Sequence, residues 1–445
     1  MAGKGRLYKE RMMSRGIFSD DFKSTPYWWE RTPRPVGDDV GLPPSADVVV
    51  IGSGYTGLSA AIQTATHGRR TLVVDAENTG WGCSTRNGGQ VSTSIKPTYA
   101  MLSRKYGPGP AMEILREGNR ALDWVESFVA EHDIRCDFRR CGRFHAAHTP
   151  DSFNQLKIKA EGIPRELGTD VRMVEPEEQD TEIRSPAYHG GAVFPHHASI
   201  DPGRYHQGLY QCAKARGVEM VSHCRVNAME KTRNGFDVLT SKGKTSAENV
   251  IVATSGYTGK LTPWQQHRII PIGSYVIATE PLDEGLPEQL IPNDRVITDT
   301  RKLVVYYRTC PERKRMLFGG RVSLKETNPE LCAPRLRKLL VHRFPELESA
   351  RITHSWMGFV GYTFDEMPHI GKHDGIHYSM GYCGSGISLA SYFGMKTGLK
   401  VAGSPAGETA LDKLVFPGRF YYRGNPWFLA PSIFYYQWRD ERNTD

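Results

Sequence analysis

The sequence predicts an α/β fold in which a discontinuous nucleotide-binding domain carries an inserted substrate domain built on an antiparallel sheet. Three observations lead to this prediction. A glycine-rich turn, "VIGSGYTG" at residues 50–57, follows an apolar strand; a second glycine cluster, "MGYCGSGISLA", occupies residues 380–390; and strands with alternating polar residues fill residues 270–325. Two flexible turns so far apart in the chain indicate that both contact one long ligand.

The composition is that of an ordinary globular protein. With 445 residues, of which 39% are hydrophobic and 24% charged, the chain exceeds the usual size of a single hydrophobic core, so two interlocked domains are expected. No apolar run approaches the roughly 20 residues of a membrane span, and the charged amino terminus lacks the apolar core of a signal peptide. We therefore expect a cytoplasmic protein without a membrane span.

The eight cysteines indicate neither a disulfide framework nor a metal site. They are scattered along a chain that lacks a secretory signal, which favours reduced thiols. None forms a C-x-x-C pair, and Cys136 and Cys141 have no second pair at zinc-ligand spacing. No metal is predicted.

The basic amino terminus allows two interpretations. The formal net charge is +8, and residues 4–15, "KGRLYKERMMSR", are rich in Lys and Arg. This stretch could bind an acidic partner such as RNA or form a solvated arm, and the lack of a nucleic-acid motif beside it favours the arm. Residues 1–44 as a whole, with their prolines and aromatic residues, are predicted to be an extended arm whose rings pack on the body of the protein.

A strand, a glycine turn, a helix and a second strand follow one another from residue 47 to residue 75. "DVVVIG" and "RTLVVD" are short β-branched apolar runs, as in buried parallel strands. Between them, Leu58, Ala61, Ile62 and Ala65 share one helical face. The pattern is that of a Rossmann-like βαβ unit with a dinucleotide at the turn.

The three glycines of Gly52-x-Gly54-x-x-Gly57 have distinct roles in such a unit. Gly52 allows the tight turn, Gly54 lets the backbone approach a pyrophosphate, and Gly57 lets the helix pack closely on the strands. The helix amino terminus presents free N–H groups and a positive dipole end to the anion. Asp75, at the end of the second strand, can accept hydrogen bonds from a ribose diol. A purely structural glycine turn is the alternative, and the nucleotide is NAD or FAD.

Later strand and helix patterns predict that the nucleotide-binding domain is interrupted. Residues 220–259 return to buried strands after a mixed region, and the strands of 270–325 suit a half-exposed antiparallel sheet. The aromatic side chains of residues 416–440 are predicted to pack in the core; the alternatives are an aromatic wall or a surface that binds a partner. We predict an arm at 1–44, the nucleotide-binding domain at 45–100, 190–260 and 350–410, the substrate domain at 101–189 and 261–349, and the tail at 411–445.

A polar loop, "GWGCSTRNGGQ" at residues 80–90, follows the second strand. Ser84, Arg86 and Asn87 are candidates to hold phosphate or ring carbonyl groups. Gly88 and Gly89 would let the backbone lie against a planar ring. A solvated surface loop is the alternative, since "RNGG" alone would also form a turn.

These segments, in this order, resemble the flavoprotein family of D-amino-acid oxidase, glycine oxidase and monomeric sarcosine oxidase. The resemblance runs from about residue 25 to the carboxyl end, and within the family the chain is most similar to the gamma-glutamylputrescine oxidases. The segments that carry it are "VVVIGSGYTGLSAA", "GWGCSTRNGGQ", "NVIVATSGYTG", "VYYR", "LFGG" and "GYCGSGIS".

The resemblance implies FAD as the cofactor and assigns the second glycine cluster to the flavin ring. Backbone N–H groups of Gly384, Gly386 and Ile387 would stabilise negative charge on the reduced ring. Val226 would bracket the adenine through its backbone, and Thr254 would lie near the pyrophosphate. The predicted cofactor-binding residues are Gly52, Ser53, Gly54, Tyr55, Thr56, Gly57, Asp75, Ala76, Gly82, Ser84, Arg86, Asn87, Gly88, Gly89, Gln90, Val226, Thr254, Gly384, Gly386 and Ile387.

The implied reaction is oxidation of a C–N bond in an amine or amino acid to an imine that hydrolyses, with the flavin reoxidised by oxygen to give hydrogen peroxide. In amino-acid-oxidising members an arginine, often with a tyrosine, grips the substrate carboxylate, and "VVYYRTC" places Tyr306, Tyr307 and Arg308 on a comparable strand. Pairing of Arg308 within the sheet is the alternative. Lys260 is a candidate for the positive charge that assists oxygen reduction, or else a solvated surface charge.

Two departures from the sarcosine oxidases bear on the substrate and on flavin attachment. Where those enzymes carry a histidine and a lysine, this chain has Ser385 and Ser388, which argues against N-methylglycine and makes Ser385 a candidate catalytic residue. Those enzymes attach flavin through a cysteine in the segment that matches residues 356–371, where this chain has none, so non-covalent FAD is predicted.

The expected substrate is a primary or secondary amine of the gamma-glutamylputrescine type, with a distal carboxylate or amide. No nucleic-acid partner is expected. Two alternatives remain at this point, an NAD-linked dehydrogenase and a flavin-bearing RNA-modifying module that uses the basic arm.

Overall fold

The strands fall into two main sheets, as the sequence predicts. The structure is a computed structural model that describes residues 15–34, 41–323 and 327–442; the basic stretch at residues 4–14 lies outside these ranges. In chain order the strands are β1 (Phe18–Lys23), β2 (Ser45–Ile51), β3 (Thr71–Val74), β4 (Gln90–Val91), β5 (Arg143–Ala146), β6 (Arg172–Val174), β7 (Gly191–Phe194), β8 (Ala198–Ser199), β9 (Glu219–Val221), β10 (Val226–Thr232), β11 (Gly235–Thr240), β12 (Gly243–Val252), β13 (Ile270–Thr279), β14 (Val296–Asp299), β15 (Val305–Thr309), β16 (Met316–Gly320), β17 (Ile352–Tyr362), β18 (His369–His373) and β19 (Ile376–Met380).

The α-helices connect these strands and cover the two sheets. None of the helices in the described ranges has the length and apolar character needed to cross a membrane. In chain order the helices are α1 (Tyr27–Arg31), α2 (Tyr55–Thr66), α3 (Tyr99–Tyr106), α4 (Pro108–Glu131), α5 (Pro150–Glu161), α6 (Pro202–Ala215), α7 (Pro263–Gln266), α8 (Leu286–Leu290), α9 (Pro329–Arg343), α10 (Gly386–Val401) and α11 (Leu429–Arg442).

One sheet has a parallel core and contains the βαβ unit of β2, α2 and β3 that the glycine pattern predicts. Strands β9, β3, β2, β12 and β19 each run parallel to the next, as in doubly wound α/β domains. The antiparallel strands β10 and β11 extend the sheet beyond β12, and β18 pairs with β19. Val48, Val49 and Val50 of β2 are fully buried, because both faces of the parallel core are covered.

The other sheet has nine strands in the order β1-β17-β13-β16-β15-β14-β5-β7-β6. The strands from β17 to β14 are antiparallel, whereas β1 with β17 and β14 with β5 are parallel. One face packs on a hydrophobic core that includes Phe144, Tyr307 and Phe318. Because side chains alternate along a strand, His145 and Tyr306 lie on the opposite face, where they line a large cavity.

Helices α2 and α10 lie side by side and run in the same direction. A Cβ atom at Gly394 would lie 2.4 Å from Thr56 O, and one at Gly398 would lie 2.4 Å from Ala60 O, so the two backbones approach closely at these glycines. The contact advances by four residues on each helix, which makes the helices parallel. Their two amino termini, each with unsatisfied N–H groups and a partial positive charge, therefore lie at the same end of the pair.

Several predicted domain bounds differ from the structure. Residues 191–194 and 352–362, predicted in the nucleotide-binding domain, form β7 and β17 of the nine-stranded sheet. Phe18–Lys23, predicted as part of an extended arm, pairs with β17 as an edge strand. Helix α4, predicted in the substrate domain, packs in the same core as α2 and α10. An apolar pattern identifies a strand or a helix, but it does not tell which sheet that element joins.

The aromatic residues of the carboxyl-terminal tail are buried only in part. Phe416 and Tyr422 are buried. Phe420, Trp427 and Phe434 are exposed to 94%, 61% and 65%. The prediction that this tail packs into a core therefore holds for the first two side chains and is wrong for the other three.

Candidate active site

One large cavity lies between the glycine turns and the nine-stranded sheet. Its volume is about 1370 Å³, above the roughly 300–1,000 Å³ of most ligand pockets. The β2–α2 turn, the loop at residues 81–90 and the segment before α10 line one side, and residues of β5, β13, β14, β15 and β17 line the other. Both glycine clusters therefore face the same space.

The turn between β2 and α2 requires its glycines. Gly52 has φ +105°, in the region that favours glycine, and a Cβ atom there would lie 3.1 Å from Ala253 O. A Cβ atom at Gly57 would lie 1.9 Å from Gly52 O, so only glycine lets α2 pack against the turn. Gly57 does not line the cavity. Its role is in packing, as the motif predicts.

The amino terminus of α2 is open to the cavity at Gly54. This residue is the N-cap and has no side chain to accept a hydrogen bond from the helix. Ser84 Oγ instead accepts one from Tyr55 N–H at 2.9 Å. The Ser84 hydroxyl and the other first-turn N–H groups are therefore donors for an anion at a positive helix end.

Asp75 is held at the end of β3 by three hydrogen bonds. Its Oδ2 accepts from Ser53 N and Ser53 Oγ at 2.8 and 2.6 Å, and its Oδ1 accepts from Glu77 N at 3.0 Å. Burial raises the pKa of Asp75, although these bonds act in the opposite direction. A carboxylate has about four lone-pair sites, so one remains for a ligand hydroxyl. Glu77, which the sequence analysis does not single out, lines the cavity beside it.

Three indole N–H groups donate hydrogen bonds to the loop at residues 81–90. Each donates to one of three consecutive loop residues, and two of the indoles belong to helix α1 in the amino-terminal segment. The pairs are Trp29 Nε1 to Thr85 Oγ1, Trp356 Nε1 to the carbonyl of Arg86, and Trp28 Nε1 to the carbonyl of Asn87, each at 2.8 Å.

The side chains of Arg86 and Asn87 line the cavity but bond to the protein. Arg86 donates to Trp81 O at 2.7 Å and to Met357 O at 3.2 Å. Asn87 Oδ1 accepts from Gly89 N at 2.9 Å. The prediction that these two side chains hold phosphate or ring carbonyls is therefore not supported by their positions, since both stabilise the loop itself.

Gly88 lies flat against the ring of Tyr306. A Cβ atom at Gly88 would lie 2.8 Å from that ring, and both residues line the cavity. Tyr306 OH and Ser274 Oγ are 2.9 Å apart, within hydrogen-bonding distance. Burial raises the pKa of Tyr306 to about 12, so the phenol stays protonated at neutral pH. Gly89 is turned away from the cavity, with φ +72°.

Tyr307 and Arg308 do not line the cavity, so the prediction that they grip a substrate carboxylate is wrong. Tyr307 lies on the opposite face of β15, and its OH donates to Tyr188 OH at 2.9 Å. Arg308 Nη1 donates to the carbonyls of Gly89 and Ile200, each at 3.0 Å. Arg308 thus links the backbone at Gly89 and at Ile200 to the nine-stranded sheet by hydrogen bonds.

The segment before α10 brings the second glycine cluster to the cavity. Gly384 has φ +98°, and a Cβ atom there would lie 3.7 Å from Tyr362 OH and 4.0 Å from Lys96 Nζ, whereas a Cβ atom at Gly386 would meet no atom within 4 Å. Ser385 is the N-cap of α10 and makes no side-chain capping bond; its Oγ accepts from Ser92 Oγ at 3.0 Å. The N–H groups at this helix start, including that of Ile387, form a second donor group at the cavity.

Most of the predicted cofactor residues line this cavity, and the exceptions are Gly57 and Gly89. Thr254 Oγ1 pairs with Thr258 Oγ1 at 2.8 Å. Lys260 is exposed at the cavity margin. The predicted residues that line the cavity are Gly52, Ser53, Gly54, Tyr55, Thr56, Asp75, Ala76, Gly82, Ser84, Arg86, Asn87, Gly88, Gln90, Val226, Thr254, Lys260, Gly384, Ser385, Gly386 and Ile387.

A group of cationic side chains that the sequence analysis misses lies where the cavity meets β5 and α5. Its members are Lys96, Arg143 and Lys159, with His145 beside them. Burial lowers the pKa of His145 to about 3, and the charges of the three cations act in the same direction. The alternation in "RFHA" indicates that Arg143 and His145 share one face of β5, but it does not tell that this face lines the cavity.

The donor set fits a dinucleotide that carries a large ring. Two helix amino termini and Ser84 supply donors for negative charge, and Asp75 retains an acceptor site for a hydroxyl group. Gly54 and Gly88 both line the cavity, and a side chain at either is excluded because a Cβ atom would lie 2.8 Å from Ser84 Oγ or from the Tyr306 ring.

Comparison with known proteins finds relatives along nearly the whole chain. A probable oxidoreductase OrdL from Rhizobium meliloti (strain 1021) is 30% identical over 424 residues, covering 93% of this chain and 97% of the relative. Gamma-glutamylputrescine oxidoreductase from Escherichia coli (strain K12) is 30% identical over 405 residues, covering 89% and 93%. Among solved structures, glycine oxidase from Geobacillus kaustophilus has a TM-score of 0.68 at 19% identity, covering 85% of this chain and 100% of that one.

Residues 47–398 match the DAO family, described as FAD dependent oxidoreductase. The matched range includes the β2–α2 turn, the loop at residues 81–90 and the start of α10, which are the three segments that line one side of the cavity. The chain therefore belongs to the DAO family of FAD-dependent oxidoreductases.

Proposed function

We propose that the protein oxidises a C–N bond in a primary or secondary amine of the gamma-glutamylputrescine type, with non-covalent FAD and with oxygen as electron acceptor. One observation carries the proposal: the cavity that holds the dinucleotide donors continues without interruption to a cationic surface on β5 and α5. This cationic end of the cavity, which we call the substrate end, therefore suits an amine that also bears a carboxylate. The similarity to gamma-glutamylputrescine oxidoreductase supports the same class.

When bound, FAD would supply the redox chemistry, as acceptor of a hydride from the carbon beside the nitrogen and as donor of the electrons that convert oxygen to hydrogen peroxide. The substrate is left as an imine, which water cleaves to a carbonyl compound and an amine or ammonia. The protein must therefore orient the amine, keep it neutral and exclude water from the reacting carbon.

The charges of the cavity favour a neutral amine. Lys96 makes the flavin end of the cavity positive, since a Cβ atom at Gly384 would lie 4.0 Å from Lys96 Nζ, and a nearby like charge disfavours the ammonium form of a bound amine. The substrate then loses its proton to solvent on binding, so the mechanism demands no catalytic base. Tyr306, held near Ser274 and protonated at neutral pH, can orient the amine by a hydrogen bond.

The two helix amino termini have separate roles in this proposal. The start of α2 and Ser84 bind the pyrophosphate. The start of α10, with the N–H groups of Gly386 and Ile387, stabilises the negative charge that reduction places on the ring. Both roles use backbone donors and so need glycine at the points of closest approach.

The chemistry of two of the three cysteines that line the cavity supports non-covalent binding. These are Cys83 and Cys383, and burial raises the pKa of each thiol to about 11; the third is Cys224. A thiol that stays protonated at neutral pH is a poor nucleophile towards a ring carbon. Acid precipitation is expected to leave a colourless pellet and a yellow supernatant, and a yellow pellet would contradict this part of the proposal.

A turnover assay tests the proposal. Gamma-glutamylputrescine, sarcosine and pipecolate are offered separately to the purified protein in air, while oxygen uptake and peroxide are measured. Uptake of oxygen with equal formation of peroxide is expected for the first compound alone. Turnover of sarcosine or pipecolate in its place would overturn the substrate class, and reduction of FAD without peroxide would replace the oxidase by a dehydrogenase.

A further inference from the structure

Arg143 is a half-buried cation at the cavity, and its side chain forms no hydrogen bond or ion pair with the described residues. Its Nε is buried and has no partner among the residues that the structure describes. Its guanidinium carbon lies 4.5 Å from the centroid of the Phe194 ring, a cation–π contact that supplies no negative counter-ion. Burial lowers the pKa of Arg143 to about 10, so it remains charged at neutral pH. A buried charge without a counter-ion is costly, which indicates that a ligand supplies one.

Two lysines add to the positive charge at this end of the cavity. Within the described ranges, neither Lys96 nor Lys159 forms a hydrogen bond or an ion pair, and both line the cavity. Lys96 is exposed to the cavity space but enclosed by protein, and this burial lowers its pKa. The adjacent histidine, His145, is neutral at neutral pH and does not balance these charges.

The carboxylates at the same cavity do not neutralise Arg143. Asp299 pairs with Arg301 at 2.8 Å and with Arg343 at 3.0 Å. Glu366 also lines the cavity, and its charge partly opposes the lowering of the Lys96 pKa by burial. In the described part of the chain, the two side chains form no ion pair. The three cations thus exceed the carboxylates available to them.

Arg143 lies two strands away from β15, the strand whose Tyr306 contacts the loop at residues 81–90. In the sheet order, β5 is separated from β15 by β14 alone, and β15 carries Tyr306, which touches Gly88. Two strand spacings correspond to roughly 10 Å. The carboxylate of an α-amino acid is attached to the reacting carbon itself, so it does not extend this far.

Resting on the proposed function, we propose that Arg143, together with Lys159, forms an anion subsite for a carboxylate that several bonds separate from the reacting carbon. The substrate class is thus an amine with a carboxylate at its other end. Arg143 is the residue that distinguishes such amines from simple diamines, because its fork geometry pairs with a carboxylate through two parallel hydrogen bonds.

A matched pair of substrates tests this role. Gamma-glutamylputrescine and putrescine share the reacting amine, and only the first carries a carboxylate. In R143L we expect KM for gamma-glutamylputrescine to rise roughly 10- to 100-fold, as for loss of a charged hydrogen bond, while kcat changes less than about 3-fold and putrescine oxidation stays within about 2-fold. R143K is expected to restore part of the loss. Equal losses for both substrates, or an unchanged KM, would overturn the subsite.

A binding measurement separates the subsite from the proposed activity. Glutarate, a carboxylate probe without an amine, is titrated by calorimetry into the FAD-loaded protein, the R143L and K159M variants, and the control K157M, whose lysine is on α5 but does not line the cavity. Weaker binding by at least about 10-fold in R143L, with K157M unchanged, supports the subsite even if no amine is oxidised. Equal affinity in all four proteins would overturn it. FAD content and thermal unfolding confirm that each variant is folded.

Discussion

Trp28 Nε1 donates a hydrogen bond to the carbonyl of Asn87 at 2.8 Å, so a residue near the amino terminus holds the loop that faces the cofactor cavity. Trp28 is fully buried. Trp29, its neighbour, makes the corresponding bond to Thr85. Helix α1 is thus part of the cofactor site, although it lies before the matched family range of residues 47–398.

The bond from Trp28 leads to a prediction about cofactor affinity. In W28F the carbonyl of Asn87 loses a buried donor, which costs about 1–3 kcal/mol. We expect the dissociation constant for FAD to rise by roughly 5- to 100-fold, measured by titrating apoprotein with FAD and following its fluorescence. W427F serves as the control because Trp427 is 61% exposed. A lower melting temperature of apoprotein with unchanged FAD affinity would make the bond merely structural.

The close contact at Gly57 leads to a prediction about stability. In G57A the new methyl group would overlap the carbonyl of Gly52, and overpacking of this kind costs about 1–3 kcal/mol or more. The urea midpoint should fall accordingly. G109A is the matched control, because Gly109 lies in the first turn of α4 and a Cβ atom there meets nothing within 4 Å. Similar midpoints for the two variants would contradict the packing described for the β2–α2 turn.

Arg308 is predicted to stabilise the fold without binding substrate. R308L removes the guanidinium donor from the carbonyls of Gly89 and Ile200, of which Gly89 O keeps the bond from Ile200 N–H, so unfolding in urea should need about 1–3 kcal/mol less free energy. The KM of the folded variant for its amine should stay within about 2-fold. If KM rises strongly while stability is unchanged, Arg308 is the carboxylate clamp after all.

His145 leads to a prediction about pH. Its pKa is lowered from 6.5 to about 3 in the folded state, chiefly by burial and then by the charges of Arg143, Lys96 and Lys159. Between these two values the unfolded chain binds the proton and the folded protein does not, so this contribution to stability is complete above about pH 6.5 and is lost as the pH falls. When the pH is lowered from 6.5 to 5, the unfolding free energy of the wild type should fall by about 1–2 kcal/mol more than that of H145Q. Parallel pH profiles in urea unfolding would contradict the assignment.

Lys260 is predicted to assist the reaction of the reduced enzyme with oxygen. It lies at the cavity margin, where a positive charge can stabilise negative charge that develops on oxygen. K260M should slow reoxidation in stopped flow by roughly 10-fold or more, by loss of one electrostatic contact, and leave anaerobic reduction unchanged. An unaltered rate of reoxidation would make Lys260 a solvated surface charge.

The nucleotide end of the site could be predicted because its determinants are local in the chain. Gly52, Gly57 and Asp75 lie within one βαβ unit, whose strand and helix periods specify where each residue stands. The loop at residues 80–90 follows that unit directly. Ser84, Gly82 and Gly88 of this loop line the cavity as predicted, whereas Gly89 does not.

The substrate end could not be predicted in the same way, because side-chain direction depends on contacts between distant segments. Tyr306 and Arg308 share one face of β15, but Arg308 is taken up by the carbonyls of Gly89 and Ile200. Arg143 reaches the cavity because β5 pairs with β14, a strand far along the chain. Neither the hydrogen bonds of Arg308 nor the pairing of β5 with β14 can be predicted from the local sequence.

The most direct test of the account is the visible spectrum of the purified protein under anaerobic conditions, recorded before and after gamma-glutamylputrescine is added, with sarcosine and pipecolate in parallel samples. The account predicts a flavin band that gamma-glutamylputrescine alone bleaches and that air restores. A flavin band that none of these amines bleaches would contradict the proposed substrate class. A protein that shows no flavin band, even after FAD is added, would contradict the cofactor site itself.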